Sequence, residues 1–180
     1  MAELVSKTYS KAIFDIAVEE GRLADIQREF DFVVKSFEEY PDFFEIIKTP
    51  KISAKEKKMI LHETFENHVS QTLLNFLKII IDKKRGTDIL EIKRDFDVRI
   101  DIQNNIVKAT VESVIPLSQE QLESLKGTLA KMTGKNIFLE TRLNPELIGG
   151  LVVKMGDKII DGSVKFKLEG MLEGLTQIII

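Results

Sequence analysis

Asp157 and Asp161 stand four residues apart around a short apolar run, a spacing that could serve an acid/base pair or a hard-cation site. They belong to the most densely constrained stretch of the chain, Asn144-Pro145-Glu146-Leu147-Ile148-Gly149-Gly150-Leu151 through Asp161-Gly162-Ser163-Val164. A local account covers both carboxylates. Asp157 follows Gly156 in a reversal, where aspartate is favoured for its local hydrogen bonding, and Asp161-Gly162-Ser163 supplies a turn glycine and N-cap oxygens for a helix. Gly149-Gly150 is not followed by the Gly-Lys-Ser/Thr of a phosphate loop, and glycines within a strand pattern mark a bulge or a close backbone approach. His62 and His68 lie six apart with no cysteine or paired carboxylate at ligand spacing. No serine has an elbow context. The stretch is expected to determine the fold, and the sequence displays no catalytic, cofactor or metal constellation.

Composition narrows the classes further. The chain has 180 residues, 43% hydrophobic and 31% charged, with no cysteine, the profile of a globular protein in a reducing compartment. The net charge is −3, with 17 basic against 20 acidic residues over 1–105 and 9 against 9 over 106–180. Neither part has the basic excess that phosphate-backbone binding leaves in a sequence. The start lacks a secretory signal and no run approaches the ~18 apolar residues that span a bilayer, so the chain is expected to stay where it is made, without inserting into lipid.

The elements that must carry these residues fall into two sets. Over 1–105 the apolar spacing predicts six helices. The first presents Val5, Tyr9, Ala12, Ile13, Ile16 and Ala17 as its core stripe, with Leu4, Phe14 and Val18 as a smaller second apolar face that packs on a neighbouring helix or on a partner. The second repeats Leu23, Ile26, Phe30, Val33 and Phe37; a short third ends at Thr49-Pro50. Ser53 and Glu56 form a capping box for the fourth, with Lys55, Lys57 and Lys58 as a solvated face. The fifth, about 70–85, is apolar over more than half its circumference and must be buried on two sides or offered to a partner. Lys83-Lys84-Arg85 suits the negative end of its dipole.

At Asn104-Asn105 the period changes from 3.6 to 2, which sets the expected boundary between domains of residues 1–105 and 106–180. Val107, Ala109, Val111, Ser113 and Ile115 alternate as a strand. Ser118 and Gln121 cap a helix with Leu122, Leu125, Leu129 and Met132, and Ile137, Leu139, Thr141 and Leu143 form a second strand. A hairpin turns over Gly156-Asp157, and the last helix carries Val164, Leu168, Met171, Leu172, Leu175, Ile178 and Ile179. The fold class expected is α+β: an N-terminal six-helix bundle followed by a small α/β domain of β-α-β-β-β-α outline.

Four blocks in order resemble the delta subunit family of the F-type ATP synthase, the bacterial counterpart of the mitochondrial oligomycin-sensitivity-conferring protein. Tyr9-Ser10-Lys11-Ala12-Ile13-Phe14-Asp15-Ile16-Ala17 is similar to the family's Tyr-Ala-x-Ala-Leu-Phe-x-x-Ala opening, departing at Ser10 and Ile13. Thr49-Pro50 through Lys57, Asn75-Phe76-Leu77-Lys78 through Lys84-Arg85, and Asn144-Pro145 through Ser163-Val164 are similar to its middle and C-terminal blocks. The resemblance implies a non-catalytic stator subunit at the cytoplasmic face of the cell membrane, one copy per complex, without a cofactor. By that resemblance the helical domain holds the N-terminal helix of an alpha subunit on its first and fifth helices, and the second domain receives the b subunits of the peripheral stalk. The implied groove is Leu4, Phe14 and Val18 with Leu74, Leu77 and Ile81, where Phe14→Asp would weaken binding without unfolding. The alternative from another class is a helical-bundle nucleic-acid-binding adaptor organised around Lys83-Lys84-Arg85, which the acidic balance opposes.

Overall fold

A computed structural model describes the backbone of residues 2–178 and the side-chain surroundings of residues 5–171. The chain divides into two compact units, Met1–Ile100 and Asp101–Ile180. Among the described residues the helices of the first part are α1 (Ala2–Glu19), α2 (Leu23–Glu39), α3 (Pro41–Lys48), α4 (Ala54–Phe65), α5 (Gln71–Asp82) and α6 (Ile89–Gln103), so the division between units falls in the last turn of α6.

Local chemistry sets the helix ends. Gly21 takes φ +64 after α1, and the Arg22 N–H donates to the Ala17 oxygen at 2.9 Å, closing a Schellman motif. Ser53 and Glu56 form the reciprocal capping box, and the Ser70 hydroxyl accepts from the Leu73 N–H at the start of α5. One core joins Ile13 and Ala17 of α1 to Ile26, Phe30, Val33 and Phe37 of α2, Leu61 and Phe65 of α4, most of α5, and Ile89, Ile92, Phe96 and Ile100 of α6. Phe30 lies at its centre, 6.0 Å from the Phe96 ring and 6.1 Å from Phe76.

The core face of α1 differs from the expected stripe. Ser6, Ser10, Ile13 and Ala17 are buried, while Ala12 and Ile16 are exposed, a rotation of roughly 70° about the helix axis. The cause is a polar seam with α6: the Ser6 hydroxyl donates to Asp95 at 2.7 Å, and Arg99 donates to the Ser10 hydroxyl at 3.1 Å and to the Lys7 carbonyl at 2.9 Å. Small hydroxyls with fixed partners allow the close approach that an apolar count assigns to larger residues. Lys57 also departs from expectation. It is buried, with its ammonium donating to the Ile47 carbonyl at 2.7 Å, whereas Lys58 pairs with Asp82 at the surface.

The second unit is built on β1 (Ile106–Ser113), α7 (Gln119–Thr133), β2 (Asn136–Leu143), β3 (Leu151–Met155), β4 (Lys158–Asp161) and α8 (Val164–Ile178), the β-α-β-β-β-α outline expected. Sheet order is β2-β1-β3-β4, with β1 parallel to β2 and both β3 pairings antiparallel. The parallel pair needs a crossover, which α7 supplies, capped by Ser118 and Gln121 and ended by Gly134 at φ +68. Ala109, Val111, Ile137, Val153 and Met155 meet Leu129 of α7 on one face of the sheet. The opposite face leaves Phe138 and Ile159 exposed. Met132 of the expected helix stripe and Ile115 of the expected strand are exposed; β1 ends at Ser113, whose hydroxyl donates to the Ile115 carbonyl. In α8, Val164, Leu168 and Met171 face solvent rather than the sheet, while the expected positions Leu172, Leu175, Ile178 and Ile179 lie outside the described side chains.

Candidate functional site

The Asn144–Val164 stretch is joined by its backbone. A Cβ added at Gly150, which has φ +77, would lie 2.3 Å from the Gly162 carbonyl oxygen, so the strand leading into β3 and the one leaving β4 touch main chain to main chain. The Gly162 N–H donates to the Leu151 oxygen and the Val164 N–H to the Gly149 oxygen, both at 2.9 Å. Pro145 opens a short 3-10 turn, Pro145–Leu147, whose N-cap Asn144 accepts from the Glu146 N–H at 3.1 Å. Gly156 takes φ +55 where β3 turns into β4, with Asp157 beside it in the same turn. Asp161 accepts the Ser163 N–H at 2.8 Å, and the Ser163 hydroxyl in turn accepts the Phe166 N–H at 3.1 Å, capping α8. Hydrogen bonding from the Ser163 side chain, then its backbone, holds the Asp161 carboxyl below the ordinary carboxylate value. Both carboxylates are thereby turn and cap residues. No group of three or more histidine, cysteine or acidic side chains is placed to hold a metal among the described residues.

Glu112 of β1 is the electrostatic tie of this region. It accepts from Lys154 of β3 at 2.5 Å and from the Asn144 amide at 2.8 Å, and these bonds, Lys154 first, hold its carboxyl below the usual 4.5. A carboxyl depressed in the folded state stabilises above its unfolded value and loses that contribution as pH falls through the folded one. The stability difference between the native chain and Glu112→Gln is accordingly expected to be constant at neutral pH and to shrink below pH 4.5. Denaturant unfolding of the two chains across that range measures it.

The expected head-binding residues are placed differently from one another. Leu74, Leu77 and Ile81 are 1%, 0% and 3% exposed, core side chains with no surface to offer a groove. Phe14 is half-buried against the core, its ring edge-on to Phe96 at 6.3 Å, so Phe14→Asp would disturb the bundle itself. Val18 is exposed, and the Leu4 side chain lies outside the described residues. Two apolar side chains not assigned to this face are open instead: Ile16 of α1 at 40% and Ile79 of α5 at 50%. The Thr72 hydroxyl donates to Glu20 at 3.0 Å, bringing the C-terminal end of α1 to the start of α5. Ile16 is one turn before Glu20 on α1, and Ile79 lies about 20° from Thr72 around α5, so each stands on the side of its helix that carries this contact. The signal for Ile79 is legible in the sequence: the helical projection puts it beside Thr72 and Asn75 on the polar strip.

Residues 5–175 match the model of the family described as ATP synthase delta (OSCP) subunit. The chain belongs to this family. It is 42% identical to ATP synthase subunit delta of Alkaliphilus oremlandii over 180 residues, all of both chains. It is 38% identical to ATP synthase subunit delta of Desulfitobacterium hafniense over 172 residues, 96% of each. In fold it is similar to a chain in the cryo-EM structure of the Toxoplasma gondii mitochondrial ATP synthase hexamer, with a TM-score of 0.68 at 17% identity over 95% of this chain and 97% of that one. For a delta-family member the arrangement is one of surfaces and caps. The nucleic-acid alternative finds no support in these likenesses, and Arg85 of its basic cluster is 3.5 Å from Asp88. No described helix is long and apolar enough to cross a membrane.

Proposed function

We propose that the chain is the non-catalytic stator subunit of an F-type ATP synthase, joining the catalytic head to the peripheral stalk so that torque on the central shaft does work instead of turning the head. The observation that carries this reading is the likeness to ATP synthase subunit delta, 42% identical over 180 residues. The physics agrees with a clamp: each unit has its own exposed apolar side chains beside well-satisfied cores, a division suited to two docking surfaces on one chain.

On this reading the seam of α1 and α5, with Ile16 and Ile79, takes the amphipathic N-terminal helix of one alpha subunit through apolar anchors. The exposed Phe138 and Ile159 of the sheet and the outward Val164, Leu168 and Met171 of α8 take the b subunits. One copy serves each complex, at the cytoplasmic face of the membrane and held there by its partners. Two linked contacts raise avidity by on the order of a hundredfold or more over either alone, the slow dissociation a stator requires. The chain, tagged and expressed in its own cell, is expected to co-purify with a membrane-bound ATPase and to leave the membranes in a low-ionic-strength wash. Recovery wholly apart from any ATPase would contradict the proposal.

A further inference from the structure

The two buried lysines of the described residues are treated unlike one another. Lys93 is 5% exposed and its ammonium sits between Asp31 at 2.6 Å and Asp97 at 2.5 Å. Lys57 is 9% exposed, and its ammonium meets a single carbonyl, that of Ile47 in the last turn of α3. Lys48 is matched to Glu45 and Lys58 to Asp82, whereas Lys57 has no carboxylate partner among the described residues. An ammonium has three donors and a full charge, and a buried charge is costly unless paired.

The Lys57 side chain lines a cavity of about 320 Å³ together with Ile47, Pro50, Ile81, Lys48 and Lys84. Three lysines and no aspartate or glutamate line it, in a chain whose net charge is −3. The first turn of α4 begins at its wall with Ala54, directly after the N-cap Ser53 of the Ser53–Glu56 capping box.

Lys84 supplies an independent observation. It takes φ +57 after α5, with its N–H donating to the Ile81 oxygen and the Arg85 N–H to the Ile80 oxygen, both at 2.9 Å. This is the same Schellman closure that follows α1, where the left-handed residue is Gly21. Packing alone favours glycine at that position, because a Cβ is strained there. Lys84 thereby brings a second ammonium to the cavity that Lys57 lines.

We propose that this cavity binds an oxyanion of the phosphate class, with Lys57 neutralising it and Lys84 as the second cation. The cavity lining shares no residue with the side chains proposed above for the head and stalk. The test is titration of the full isotopically labelled chain with inorganic phosphate, and separately with a nucleoside diphosphate, against sodium chloride of equal ionic strength. Saturable shifts are expected at the amides of Ser53, Ala54, Gly86 and Thr87. Lys57→Met should weaken binding at least ~tenfold. Lys84→Gly should weaken it about threefold or more while raising the thermal midpoint, a trade of stability for binding. Lys58→Gln, outside the lining, should bind as the native chain does. Saturation by both ligands assigns the site to phosphate itself; saturation by the diphosphate alone assigns it to a nucleotide's phosphates. Shifts that chloride reproduces, or affinity unchanged in Lys84→Gly, would overturn the site, and the second criterion holds even where Lys57→Met fails to fold.

Discussion

Replacing Gly150 by alanine is expected to destabilise the sheet-bearing unit by on the order of 4 kcal/mol, a large share of the stability of a small domain. Two effects add. A residue with a Cβ at φ +77 is strained whatever its surroundings, by about 1–2 kcal/mol. The new Cβ would also lie 2.3 Å from the Gly162 carbonyl oxygen, a backbone atom held by the Gly162 N–H bond to the Leu151 oxygen, so relief requires parting the segments on either side of the β3–β4 hairpin. Gly156 separates the two effects. It has φ +55 but open space around it, and Gly156→Ala should therefore cost only the backbone strain, about 1–2 kcal/mol. Denaturant unfolding followed through amide signals of residues 106–161 measures both, and similar midpoints for the two variants would refute the close-approach account.

The second large effect separates core from surface on a single helix. Leu77→Ala removes a fully buried side chain from the centre of α5 and should cost about 3 kcal/mol of helical-unit stability, within the range for leucine truncation in cores. Ile79→Asp, two residues on, changes a half-exposed side chain and should shift stability by less than ~0.5 kcal/mol. Reversed magnitudes, measured by urea unfolding of the two variants, would show that Leu77 lines a groove and Ile79 belongs to the core.

Much of this architecture is legible in the sequence because it rests on short-range chemistry. Ser53 with Glu56 and Ser118 with Gln121 announce helix starts, the change of period after Asn105 announces the sheet, and Gly156-Asp157 announces the hairpin; each requires only residues within a few positions. The orientation of α1 is set instead by residues some ninety positions away. Ser6 and Ser10 become core residues because Asp95 and Arg99 satisfy them, and that displaces Ile16 outward. Counting apolar side chains by angle cannot anticipate a buried hydroxyl whose partner lies in α6. The same limit applies to Lys57, whose partner carbonyl is in α3, and to α8, whose apolar positions Leu168 and Met171 mark a helix without showing what covers it. Apolar spacing states that a face wants a partner; whether the partner is the chain itself is a matter of tertiary packing.

The α1–α5 face, through Ile16 and Ile79, is proposed to hold the N-terminal helix of an alpha subunit. Calorimetric titration of that peptide into the full chain tests it most directly. Binding at micromolar concentration or tighter is expected, weakened at least ~tenfold by Ile16→Asp and by Ile79→Asp while the unfolding midpoint stays unchanged. No binding at micromolar concentration, or equal affinity in native and both substituted chains, would contradict the assignment of this face.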